Sequence, residues 1–173
     1  MKEKRTMETI NASREIRAST DRVWEIVSDV DNDPEYWKGV TSLHNLRKEG
    51  NVVERSVVVG FMGHKGLQRI ELKPRESIEL TMTKGPMKGS REIKLVPLDG
   101  GERTRIEISW NFQFSGVPIF ARPFVTSQIV GTTKEALERI AEAAVKPSSP
   151  LVRTRKETSG PGTQPRTSAT ARS

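Results

Sequence analysis

Asp29, Asp31 and Asp33 are the first residues in this chain whose type and spacing suggest chemistry. A D-x-D-x-D run opens an oxygen-ligand calcium loop. In such a loop glycine makes the turn at the sixth position and a bidentate glutamate closes the shell at the twelfth. Counted from Asp29, those positions hold Pro34 and Val40. The turn and the closing ligand are both missing. The aspartates therefore read as punctuation that ends one helix and caps the next, with Pro34 suited to the first turn of the second helix.

The rest of the catalytic inventory is thin. The two histidines, His44 and His64, have neither the context of a nucleophile triad nor zinc spacing. There is no cysteine, so disulfides and thiolate metal sites are excluded. The glycines at 60–63 and 85–89 lie between strands, not at a strand-to-helix turn that could cradle a phosphate. The inward phase of the strands offers no carboxylate pair for acid–base work. No catalytic residue, metal ligand or cofactor is assigned. Tyr36, His64, Arg91 and Gln128 are polar groups that none of these motifs claims.

The elements that would position these groups follow from periodicity. Residues 6–18 form a first strand, with Ile10, Ala12, Ile16 and Ala18 in one phase. Ser19 caps a helix whose Val23, Ile26, Val27 and Val30 share one face. A short second helix carries Tyr36 and Trp37 and stops at Gly39; Trp24 and Trp37 are expected to pack this helical pair against the sheet's edge. Strands are expected at 43–46, 52–62, 67–73, 77–84, 90–98 and 104–114, joined by short turn-forming segments that make consecutive antiparallel hairpins. Residues 123–145 form one long amphipathic helix with a stripe of Val125, Ile129, Thr133, Ala136, Leu137, Ile140 and Ala144. At 1.5 Å per residue it spans about 35 Å, enough to cross a sheet. The simplest packing of this β-α-α-β6-α order is an α+β domain, one antiparallel sheet wrapped around the C-terminal helix.

Charge is unevenly placed. The chain carries a formal +7. Six Lys and Arg against one Glu fall at 146–173, leaving the remainder nearly balanced, which argues against a basic nucleic-acid-binding body. Residues 147–173 are rich in Ser, Thr, Pro and Gly and too poor in apolar residues to offset their ordering entropy, so they read as a disordered tail beyond a domain at 1–146. The tail is either a solubilising extension or a weak tether to a membrane surface or nucleic acid through Arg153, Arg155 and Lys156. Nothing near the N-terminus reads as a signal peptide, and no apolar run is long enough for a transmembrane segment, so a cytoplasmic location is expected.

The stretch I-R-A-S-T-D-R-V-W-E-I-V-S-D-V-D-N-D-P-E-Y-W, the strand run after it and the closing T-K-E-A-L-E-R-I-A resemble the START-like superfamily, in its polyketide cyclase/dehydrase-type branch. The resemblance covers about residues 6–146. It implies the helix-grip fold, with an apolar cavity between sheet and helix that holds a lipid, quinone or polyketide-like molecule.

On that basis the lining is expected from Val59, Phe61, Leu72, Leu80, Met82, Leu95, Ile108, Trp110 and Phe112 on the strands and Phe124, Gln128, Ile129 and Thr132 on the helix. A solid core of the same residues is the competing reading. Gly131, costly inside a helix by about 1 kcal/mol relative to Ala, favours a close backbone approach or room for a ligand. Antiparallel order brings 63–66, 85–89 and 115–118 to one end, where His64, Lys84 and Arg91 are expected to form a basic mouth that receives the polar end of an amphiphile. Lysines at hairpin tips also block edge pairing without any ligand. Arg55, in phase with Val57 and Val59, is expected to snorkel from the opposite rim. Three functions stand side by side: binding or carriage of a hydrophobic small molecule, a cyclase/dehydrase-type pocket enzyme, and a protein-interaction or regulatory module.

Overall fold

A computed structural model of the chain describes residues 6–60 and 63–146. The tail at 147–173 and Phe61, one of the expected lining residues, lie outside the described residues. Seven strands form one sheet: β1 (Glu8–Ile16), β2 (Val40–Glu49), β3 (Val52–Val59), β4 (His64–Lys73), β5 (Ser77–Lys84), β6 (Met87–Leu98) and β7 (Arg103–Phe114). Helices α1 (Thr20–Val27) and α2 (Asp33–Tyr36) connect β1 to β2, and α3 (Arg122–Val145) closes the chain's described part. The strand order is β1-β7-β6-β5-β4-β3-β2, antiparallel throughout.

That order has one consequence for the site. β1 and β2 are neighbours in sequence but occupy opposite edges of the sheet. The α1–α2 connection must therefore cross a face, and it crosses the face that α3 covers: Val23, Ile26, Val27 and Trp37 share a buried cluster with Leu137 and Ile140 of α3. Ser19 caps α1 as expected, its Oγ accepting from the Arg22 amide at 3.1 Å. The α2 cap differs. Asn32 occupies the cap position without a side-chain cap bond, and the aspartate expected to help, Asp33, is engaged elsewhere.

Strand limits depart from the sequence reading where apolar alternation is weak. β2 runs over ten residues, not four, because an edge strand facing mostly solvent carries little apolar signal. β4 starts at His64, which pairs with Val59 of β3, and β6 at Met87, which with Lys88 pairs with β7 beyond the last β5–β6 pair, Met82–Gly89. Register shifts in the β2–β3 and β4–β5 pairings mark irregularities of the bulge kind that bend and twist a sheet.

The apolar stripe expected on α3 is the buried one, with Ala141 added. It serves two clusters. Toward its C-terminal end, Ala136, Leu137, Ile140, Ala141 and Ala144 pack on Ile16, Ile70, Ile78, Leu80, Leu95, Ile106 and Ile108. Toward its N-terminal end, Val125 and Ile129 pack with Ile10, Met87 and Phe112. Trp110 touches both clusters and so stands at their junction.

Two glycines make opposite demands. Gly89, at φ 147°, would place a Cβ 2.1 Å from the Asn111 carbonyl oxygen, so only glycine fits against β7. A Cβ on Gly131 would meet nothing within 4 Å, so no close backbone approach explains that residue. Gly131→Ala should raise stability by up to about 1 kcal/mol. Gly89→Ala should lower it by about 1–3 kcal/mol or more. Urea denaturation of the two variants checks both signs.

Candidate ligand-binding site

Two arginines point into the face between sheet and α3, and their surroundings differ. Arg55 on β3 is 1% exposed. Each nitrogen of its guanidinium has a partner. Nη2 donates to Asp33 Oδ2 at 2.6 Å, Nη1 to the Val30 carbonyl at 2.8 Å, and Nε to Gln68 Oε1 at 3.0 Å. Gln68 is the residue opposite Arg55 in the β3–β4 register, so the sheet itself supplies that contact. The expected snorkelling at a rim is thus replaced by a buried ion pair. It ties the α1–α2 connection to the sheet.

Arg91 on β6 was expected at the mouth but is 6% exposed and lies inside. Across the sheet it faces Leu80 on β5 and Trp110 on β7. Its guanidinium carbon lies 4.2 Å from the centre of the Trp37 ring and 5.4 Å from that of Trp110. Trp37 in turn meets Trp110 edge-on, centroids 6.1 Å apart, so Trp37 packs in the interior and not at the sheet's edge. Trp110 is held by a hydrogen bond from its Nε1 to Thr133 Oγ1 at 3.1 Å, and that hydroxyl donates to the Ile129 carbonyl at 2.7 Å. Burial pushes the Arg91 pKa down to about 10; Asp33 opposes that shift and Arg55 adds to it. Arg91 therefore keeps its charge at neutral pH.

The aspartate run resolves into separate contacts. Asp31 accepts from Asn45 at 2.7 Å and pairs with Lys48, both on β2, and hydrogen bonding from Lys48 holds its carboxyl below the ordinary range. Asp33 faces Arg55. Among the described residues no group of three His, Asp or Glu side chains is arranged to hold a metal ion.

Three spaces share lining residues in succession. An outer groove of about 480 Å³ is lined by His64, Lys65, Pro86, Val117, Phe124 and Val125 among others, which joins the three loops expected at one end. A middle space of about 40 Å³ shares His64 and Pro86 with it. An interior cavity of about 70 Å³ shares Val59, Gln68, Met82 and Met87 with the middle one. Of the residues expected to line a cavity, Val59, Met82, Trp110, Ile129 and Thr132 border the interior cavity, alongside Trp37, Asp33, Arg55 and Arg91. Phe124 borders the outer groove and is largely exposed. His64 lines the outer groove and the middle space, and Lys84 the middle space. Leu80, Leu95, Ile108 and Phe112 are buried in packed clusters, with Leu72 against them, and Gln128 is half-buried; none of these borders the three spaces.

Sequence reasoning missed Trp37, Gln68 and Met87 as lining, and it missed the Arg55–Asp33 pair. A signal was present: Arg55 and Arg91 both fall in the inward phase of their strands. The partner was hidden because Asp33 lies 22 residues away on another element.

The family described as polyketide cyclase / dehydrase and lipid transport matches residues 7–145. The chain belongs to this family. It has the START-like helix-grip fold, which binds hydrophobic ligands. No curated protein matches the chain. Among solved structures, TTHA0849 from Thermus thermophilus is 23% identical with TM-score 0.69, over 82% of this chain and all of that one. The Zhui aromatase/cyclase from Streptomyces sp. R1128 is 17% identical with TM-score 0.71, over 80% and 94%. A START superfamily protein from Mycobacterium smegmatis is 20% identical with TM-score 0.54, over 78% and 92%. At these identities the likeness is one of fold. Among the described residues of this family member, no helix is long and apolar enough to cross a membrane.

The Arg55–Asp33 pair makes a two-sided prediction. Asp33→Ala should cost about 3–5 kcal/mol, because it strands a buried guanidinium. The combined Asp33→Leu and Arg55→Met variant should be more stable than either single change, because both desolvated charges leave together. Equilibrium urea unfolding of Asp33→Leu, Arg55→Met and the double variant measures the coupling.

Proposed function

We propose that this protein binds and carries a hydrophobic or amphiphilic small molecule, of lipid, quinone or polyketide-like character, between the sheet and α3. The observation that carries this reading is the succession of spaces from an open groove to an interior cavity. The apolar part of the inner lining includes Val59, Met82, Met87, Trp110 and Ile129, and successive spaces share lining residues. Membership of a family described by lipid transport as well as cyclisation supports it.

The mouth has matching chemistry. Ile119, Phe120 and Phe124, around the start of α3, are exposed, Phe120 by 88%. Ala121 and Phe124 also line the outer groove. An apolar molecule leaving a membrane or another carrier therefore meets apolar surface before it reaches the interior.

The cyclase/dehydrase-type reading has less support. The one carboxylate bordering the interior cavity, Asp33, accepts from Arg55. His64 borders the outer groove and the middle space but not the interior cavity. The Tyr36 hydroxyl, its pKa raised by burial and then by Asp29, belongs to a residue that borders none of the three spaces. No acid and base face each other across the cavity.

Native mass spectrometry of freshly purified protein, followed by organic extraction, tests the proposal directly. A stoichiometric apolar or amphiphilic adduct is expected. Met82 borders both inner spaces, so Met82→Trp should lower the affinity for an apolar fluorescent probe about tenfold or more at unchanged secondary structure. Unchanged probe affinity in that variant would place the probe outside the cavity.

A further inference from the structure

The interior cavity carries an unbalanced charge. Its ionisable lining residues are Asp33, Arg55 and Arg91. Asp33 and Arg55 neutralise each other at 2.6 Å, and the remaining donors of Arg55 are taken by Val30 and Gln68. Arg91 is left over. Among the described residues it forms no ion pair and no hydrogen bond, and its Nε is buried without a partner. Proteins rarely keep a buried cation in that state, because both the charge and the donor are costly to desolvate. The two indoles offset part of the cost through the ring face but cannot accept the in-plane N–H groups.

We infer that the interior cavity receives the acidic end of an amphiphile, a carboxylate or a similarly planar oxyanion, with Arg91 as its counter-ion and the apolar body running outward to the open groove. This rests on the reading that the protein binds a hydrophobic small molecule, and it names that molecule's polar end. Guanidinium and carboxylate match as planar, two-point partners. The cavity, about 70 Å³, brings Arg91 together with the rings of Trp37 and Trp110. The larger volume, beside Val117, Phe124 and Val125, is at the open end. The orientation is the reverse of the one suggested by a basic mouth. His64 borders the outer groove and the middle space, Lys84 the middle space, and Arg91 the interior cavity.

Dodecanoate and dodecanol share an apolar body and differ at the head, so they separate head recognition from chain binding. Titration calorimetry with the full-length protein should give at least about tenfold tighter binding of dodecanoate, the worth of one charge-assisted contact. Arg91→Leu should abolish that preference while dodecanol affinity stays within about threefold, and Arg91→Lys should retain part of it. Lys84→Gln should leave it unchanged. Dodecanoate brominated beside the carboxylate should quench tryptophan fluorescence more strongly than the same acid brominated at its far end, since Trp37 and Trp110 flank Arg91. Equal affinities for acid and alcohol would overturn the inference and leave the carrier reading standing. A preference lost with Lys84→Gln but kept in Arg91→Leu would overturn it in favour of the mouth. Absence of binding by both probes, with no adduct on extraction, would overturn the carrier reading and the inference together. Should Arg91→Leu not fold, the Arg91→Lys affinity and the bromine quenching order decide.

Discussion

The buried pair of Arg55 and Asp33 is the contact on which the arrangement of the site depends. With β1 and β2 at opposite edges, the segment from Ser19 to Gly39 has to travel across the sheet. Apolar packing of Val23, Ile26 and Val27 holds its first half. Its second half packs Val30 and Trp37 into the same cluster and is tied to the sheet by Arg55, which takes the Asp33 carboxylate and the Val30 carbonyl at once. A buried pair of this kind is weak evidence for net stability, because desolvation offsets much of the attraction. Its clearer effect here is geometric. It sets Trp37 over Arg91 and against Trp110, and so forms one wall of the interior cavity.

That wall divides the space between sheet and α3 into two regimes. On one side the helix stripe is continuous and small-to-large packing is complete, with Ala136, Ala141 and Ala144 letting the helix lie close to β-branched and leucine side chains. On the other side the helix presents Ile129 and Thr132 to the interior cavity. Thr133 marks the boundary. Its hydroxyl takes the Trp110 indole N–H and returns a hydrogen bond to the helix backbone, so a polar residue is fully buried without an unmet group. The structure thus combines a solid core and a cavity, two readings that looked like alternatives for the same residues.

The two inward arginines show how position decides role when residue type does not. They share a strand phase, a face and a cavity. Arg55 meets a carboxylate, a carbonyl and an amide, and is part of the framework. Arg91 meets two aromatic faces and keeps its donors. Only the second has capacity left for a ligand.

Much of this was legible in the chain. Helix periodicity picked out the buried stripe of α3, Ser19 announced the start of α1, and strict alternation in β7 gave its inward face, because each is a short-range consequence of side-chain direction. Turn chemistry brought His64, Gly85 and Ser115 to one end, since consecutive hairpins leave no choice. The edge strand β2 was underestimated, as its residues face solvent and carry little pattern. Inward phase could show that Arg55 and Arg91 enter the interior, but it could not assign their depth or partners. Those follow from where the crossing segment settles, a matter of non-local packing that places Asp33 beside one arginine and Trp37 beside the other. Composition and periodicity determined the elements and the face. Tertiary structure alone decided which buried charge was answered, because charge pairing depends on distance in space and not on spacing in sequence.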